Sequence, residues 1–248
     1  MNVSVGARLD LDPALEPERY RAVFRRFGRL HVPAFLTPAT AKALWSTLEC
    51  AEGWVRALHT AGGHCEILAE EVEELPPDER AQFEASVQTD ARDAFRYMFD
   101  TIRISDEERG PRKVAPLLNR WLDFVNGPEF LGFMRALTGD ERIVYCDAMA
   151  TRYLPGHFAT AHQDEVEKQH RLYAYVLNLT PRWRADWGGL LMFLDEDDHV
   201  AEGYTPAFNA INVFRVPQRH AVSFVTPAAA GPRLSITGWA RARLPQGG

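Results

Sequence analysis

His162 and Asp164 in the run AHQDE, and His220 in the run RHAVSF, are residue types that together bind a divalent transition metal. Two neutral imidazoles and one carboxylate fill one triangular face of an octahedral Fe(II) and leave three positions open for a co-substrate and dioxygen. Two residues spaced i, i+2 on a strand project to the same side, and the second histidine then comes from a strand distant in sequence. His220 follows His162 by 58 residues.

The HxD pair alone carries little information, because a chain with eight histidines and this acidic content gives about one such match by chance. His64 and Glu66 in GGHCEIL have the same spacing, but they precede an acidic run with helical character and no strand pattern surrounds them. Downstream of the second histidine, Arg233 and Ser235 in GPRLSITGW occupy alternate positions of a strand-like run. A guanidinium with a hydroxyl beside it is suited to clamping a carboxylate.

With these residues in view, the segment from Arg152 to Trp239 resembles the Fe(II)/2-oxoglutarate-dependent dioxygenases, and within them the prolyl 4-hydroxylase-like branch. The likeness runs in order through RYLPGHF, HQD, RLYAYVLNLTPRW, WGGLLMFL, FNAINVFRV, RHAVSFV and RLSITGW. It implies that His162, Asp164 and His220 ligate Fe(II), that Arg233 and Ser235 hold the distal carboxylate of 2-oxoglutarate, and that Tyr153 adds a hydroxyl to that clamp. It also implies consumption of dioxygen, formation of succinate and carbon dioxide, and hydroxylation of a C–H bond, with ascorbate as a reductant. The implied substrate is a prolyl or other residue of a protein or peptide. A small molecule or free amino acid is the alternative substrate, and a non-catalytic jelly-roll binding module the alternative role. One departure stands out: where relatives carry a second co-substrate tyrosine in the YLN strand this chain has Val176, with Tyr173 and Tyr175 on the opposite strand face.

A module that only binds a partner is free to lose any of His162, Asp164, His220 or Arg233, yet all four are present. A zinc deaminase needs HxE followed by PCxxC, and no PCxxC occurs here. The net charge of −6 lacks the basic footprint of a nucleic-acid partner. Cys50, Cys65 and Cys146 form no CxxC pair and read as reduced thiols. The N-terminus shows no basic and apolar leader pattern, and no apolar run of about 18 residues appears, so the expectation is a cytoplasmic protein without a membrane partner.

These site residues must be held by strands, and the hydrophobic periodicity changes where strands are needed. Before residue 140 apolar residues recur at helical spacing, as Tyr20, Val23, Phe24 and Phe27 do, and a long helix is expected from Pro77 to Phe99. From Ile143 onward the period is two, first in one long strand and then in short runs split by Pro, Gly and Asp. The expected fold is α+β with a mainly β core: a double-stranded β-helix, or cupin-like jelly roll, with an N-terminal helical support. One integrated domain over 1–248 is expected, mainly helical over 1–140 with the catalytic core over 141–245.

Overall fold

A computed structural model of the chain describes residues 8–92, 94–105, 114–164 and 170–242. Residues 1–7, the start of the stretch read for a leader, lie outside them. Proline and glycine punctuate the helices. Helix α1 (Pro17–Phe27) opens on proline, whose missing N–H has no partner to lose in a first turn. It stops at Gly28, which takes φ 67° and donates its N–H to the Phe24 carbonyl at 2.7 Å. Strand β1 (Arg29–Val32) follows, then α2 (Pro38–Glu49), capped by the Thr37 hydroxyl. A hairpin of β2 (Val55–Thr60) and β3 (Gly63–Leu68) leads to α3 (Ala69–Glu73), α4 (Pro77–Asp90) and β4 (Tyr97–Arg103). Helices α5 (Pro116–Val125) and α6 (Pro128–Thr138) complete the helical layer. The remaining strands are β5 (Tyr145–Cys146), β6 (Met149–Tyr153), β7 (Phe158–His162), β8 (Arg171–Asn178), β9 (Leu191–Leu194), β10 (Val200–Tyr204), β11 (Ala210–Arg215), β12 (His220–Val222) and β13 (Arg233–Arg241).

The strands hydrogen-bond in the order β1-β11-β8-β13-β6-β4-β7-β12-β9-β10, which wraps the sheet into the expected jelly roll. Its central strands have two different faces because side chains alternate along each strand. Toward the helices, Tyr173, Tyr175 and Leu177 of β8 and Leu234 and Ile236 of β13 join a core with Leu118 and Trp121 of α5 and Phe130 and Met134 of α6. Each such fully buried large apolar side chain contributes roughly 1.5–3 kcal/mol. Toward the other side, Ala174 and Val176 of β8 and Arg233, Ser235, Thr237 and Trp239 of β13 line a cavity. The alternation in LYAYVLN and RLSITGW thus separates core from site residue by residue.

Strand β4 joins the two halves of the wrap. Its Asp100–Arg103 segment pairs with β6, and Tyr97 and Met98 pair with β7. Here the expected Pro77–Phe99 helix is corrected: α4 ends at Asp90, and Tyr97 and Phe99 alternate toward the cavity as strand residues. Tertiary burial of an aromatic face overrides the helix signal begun at Pro77. His64 and Glu66 likewise lie on a strand, β3, where none was expected. The long strand expected from Ile143 divides into β5 and β6, because Asp147 pairs with Arg241 and its backbone N–H bonds to the Trp239 carbonyl. Strand β10, with mostly exposed residues, lacked a sequence signal. A Gly188–Gly189 turn precedes β9: Gly188 adopts φ 69°, and a Cβ there would stand 1.8 Å from the Phe224 carbonyl oxygen.

Candidate metal centre and co-substrate pocket

The cavity enclosed by the wrap measures about 680 Å³. At its edge His162, at the end of β7, and His220, at the start of β12, are register partners, so the sheet itself sets their separation. Their ring centroids are 4.1 Å apart. The His162 Nδ1–H donates to the Thr160 carbonyl and the His220 Nδ1–H to the Gln218 carbonyl, both at 2.8 Å. Both Nε2 lone pairs are thereby left free to bind a metal.

Asp164 completes the group, with His162 Nε2 3.3 Å from Oδ1 and His220 Nε2 3.4 Å from Oδ2. One ligand atom from each residue lies within 4.8 Å of the others. Burial alone pushes the carboxyl pKa up, but the adjoining His162 and His220 outweigh it and hold the group ionised, below the usual carboxylate range. The carboxylate does not reach this place by strand alternation: β7 ends at His162, and Asp164 sits two residues beyond it at φ 58°. Two imidazole nitrogens and a carboxylate oxygen converging on one point fit a divalent iron-type ion.

Deeper in the same cavity, Arg233 is only 2% exposed. Its Nε and Nη1 have no hydrogen-bond partner among the described residues. Burial pushes the guanidinium pKa down from its ordinary value, with only Tyr153 opposing. A buried cation with orphaned donors needs an anion to complete it, and a carboxylate matches its fork. Tyr153, paired with Arg233 across the β6–β13 ladder, places its ring centre 5.1 Å from the guanidinium carbon. Burial pushes the Tyr153 phenol pKa up, so the hydroxyl stays protonated. The Ser235 hydroxyl lies 2.7 Å from the Thr151 hydroxyl, and both residues line the cavity. The six residues expected at the site therefore surround one space.

Other residues sort differently. His157 is buried away from the metal-ligand group, near Asp100 and Arg56. Tyr173 and Tyr175 point to the core side, where they donate to Asp140 and to the Asp147 carbonyl. Val176 faces the cavity. Trp183 donates to the Gly188 carbonyl and packs edge-on against Trp187, which fixes the turn. Of His64 and Glu66, only His64 lines the cavity: Glu66 binds Arg103, and His64 contacts Tyr97. Sequence reasoning missed the aromatic wall of Phe95, Tyr97 and Phe99, with Phe95 4.8 Å from the His162 ring. Period two in YMFDTIR was the available signal.

Comparisons with known proteins agree with this geometry. The pattern of the 2OG-Fe(II) oxygenase superfamily matches residues 148–241, which contain His162, Asp164, His220 and Arg233. The mouse prolyl 3-hydroxylase OGFOD1 is 30% identical over 118 residues, which cover 45% of this chain. The match spans only 21% of that relative's length. The Pseudomonas putida prolyl-4-hydroxylase superposes with a TM-score of 0.56 at 18% identity, covering 92% of this chain and all of that one. A Trichoplax adhaerens prolyl hydroxylase, solved with a hypoxia inducible factor peptide fragment, gives 0.56 at 16% identity, covering 91% and 90%. At such identities the structural likenesses establish the jelly-roll fold, and the superfamily match lies on the segment that carries the site. Residues 148–241 thus match the 2OG-Fe(II) oxygenase superfamily, on a fold that is similar to that of the prolyl hydroxylases.

Proposed function

We propose that this protein is an Fe(II)- and 2-oxoglutarate-dependent dioxygenase that hydroxylates a C–H bond of a prolyl or other residue in a protein or peptide. The observation that carries this reading is the orphaned, buried Arg233 guanidinium in the same cavity as His162, Asp164 and His220. The three ligands would hold Fe(II), and Arg233, with Ser235 and Tyr153, would hold the distal carboxylate of 2-oxoglutarate. Iron, dioxygen and 2-oxoglutarate together supply the oxidising chemistry, with succinate and carbon dioxide as co-products and ascorbate as a reductant.

The chain's own residues supply placement and dryness. Carbonyls of Thr160 and Gln218 fix the two imidazoles in the tautomer that presents Nε2. Arg233 would hold the far end of the co-substrate and so would orient its reactive end. Val176, Leu191, Phe214 and Val222 line the cavity and exclude water. At the mouth, Phe95 and Tyr97 offer an apolar aromatic wall beside His162, suited to a saturated ring such as that of proline. The prolyl hydroxylase names of the relatives support a peptide substrate.

Purified protein given Fe(II), ascorbate and 2-oxoglutarate should release succinate slowly without added substrate. Proteomes from cells with and without the protein should then differ by a gain of one oxygen on a peptide. Failure both to turn over and to bind 2-oxoglutarate would overturn the reading.

A further inference from the structure

Asp164 is the one member of the metal-ligand group that no strand holds. His162 and His220 face each other across a ladder, whereas Asp164 lies beyond the end of β7 with a left-handed backbone that aspartate tolerates and no ladder supports. Its place depends on side chains from β8 and β13. The Trp239 indole N–H donates to Asp164 Oδ2 at 3.1 Å. Arg171 donates through Nη1 to the Asp164 backbone carbonyl at 3.0 Å. The same guanidinium carbon stacks 3.5 Å from the centre of the Trp239 ring. One arginine thus supports both the backbone of the aspartate and the ring that grips its carboxylate. Trp239 is itself anchored: its backbone N–H donates to Asp147 Oδ1 at 2.6 Å, and its carbonyl accepts from the Asp147 N–H at 3.2 Å.

We propose that Arg171 and Trp239 are positioning residues for the metal, which together orient the Asp164 carboxylate by engaging Oδ2 and leaving Oδ1 as the oxygen for the ion. This rests on reading His162, Asp164 and His220 as metal ligands. An N–H on one oxygen disfavours chelation through both, and a one-oxygen carboxylate preserves three open coordination positions. Arg171 suits the task because a planar guanidinium stacks on an indole and donates at its edge at the same time, which an ammonium cannot do.

The test is titration of metal-free, full-length protein with Co(II), a spectroscopically visible substitute for Fe(II). Trp239→Phe keeps the ring and the stack but deletes the N–H, while Arg171→Ala removes the support beneath both contacts. Each should weaken Co(II) binding roughly tenfold and shift the visible ligand-field bands, with the melting transition close to wild type. Arg171→Lys should resemble Arg171→Ala rather than wild type. The double variant should bind about as weakly as Arg171→Ala, because both residues act through one carboxylate. Wild-type affinity and bands in the single variants, fully additive losses, or weaker binding only in step with a collapsed melting transition would overturn the proposal. If wild-type protein itself binds no Co(II), the metal reading falls with it; if wild type binds and the variants match it, the positioning role alone falls.

Discussion

His162 and His220 are direct cross-strand partners, and each ring is locked by the same local device: its Nδ1–H donates to the carbonyl two residues earlier. The repetition matters because a metal needs both Nε2 atoms unprotonated and aimed at one point. A ladder fixes the backbones, and the two carbonyls fix the rings and the tautomers.

Replacing Asp164 with alanine removes the proposed anionic ligand while leaving both histidines on their ladder. Iron affinity should fall by at least about 100-fold, more than loss of an outer hydrogen bond causes. Metal content after dialysis, measured by mass spectrometry, checks this; retained stoichiometry would mean that another carboxylate ligates.

Arg233→Ala should separate co-substrate from metal. Loss of charge-assisted hydrogen bonds to a carboxylate should raise the 2-oxoglutarate concentration needed roughly 10- to 100-fold with iron still bound. Calorimetric titration of 2-oxoglutarate reads this directly. Iron loss before any change in 2-oxoglutarate binding would assign Arg233 a structural role.

His157 should make stability depend on pH. Burial pushes its pKa down to about 4, against the opposing pull of Asp100. Between its ordinary value of about 6.5 and about 4 the unfolded chain binds a proton that the folded chain does not, so stability falls as pH falls through that window. The loss should approach about 3 kcal/mol. Urea unfolding at about pH 7 and about pH 4.5 measures it. His157→Gln should flatten that slope, and an unchanged slope would point to another group.

The thiols should react in two classes. Cys50 and Cys65 are exposed, whereas Cys146 is buried and its pKa is pushed up by desolvation. A thiol reagent should therefore label two cysteines promptly and the third only on unfolding. Three fast equivalents would place Cys146 at a breathing surface.

Much of the site was legible because strand residues announce their own alternation. RLSITGW assigned Arg233 and Ser235 to one face, and the structure puts Leu234 and Ile236 on the other. Asp164 does come together with His162 and His220, but a left-handed backbone beyond β7 rather than a shared strand face brings it there. Phe95, Tyr97 and Phe99 were hidden because the helix signal at Pro77 overran a strand whose burial depends on partners far away in sequence. The grip of Trp239 on Asp164 was equally illegible, being a contact between residues 75 apart.

Strand β4 has a consequence for anyone who would shorten this protein. It closes the seam between the strand carrying His162 and the strand opposite Arg233, by pairing with β7 at one end and β6 at the other. A fragment starting near residue 141 would retain all six site residues yet expose two raw strand edges there, open to pairing with other chains. The candidate site residues all lie between residues 153 and 235, but the sheet that frames them reaches back to β4.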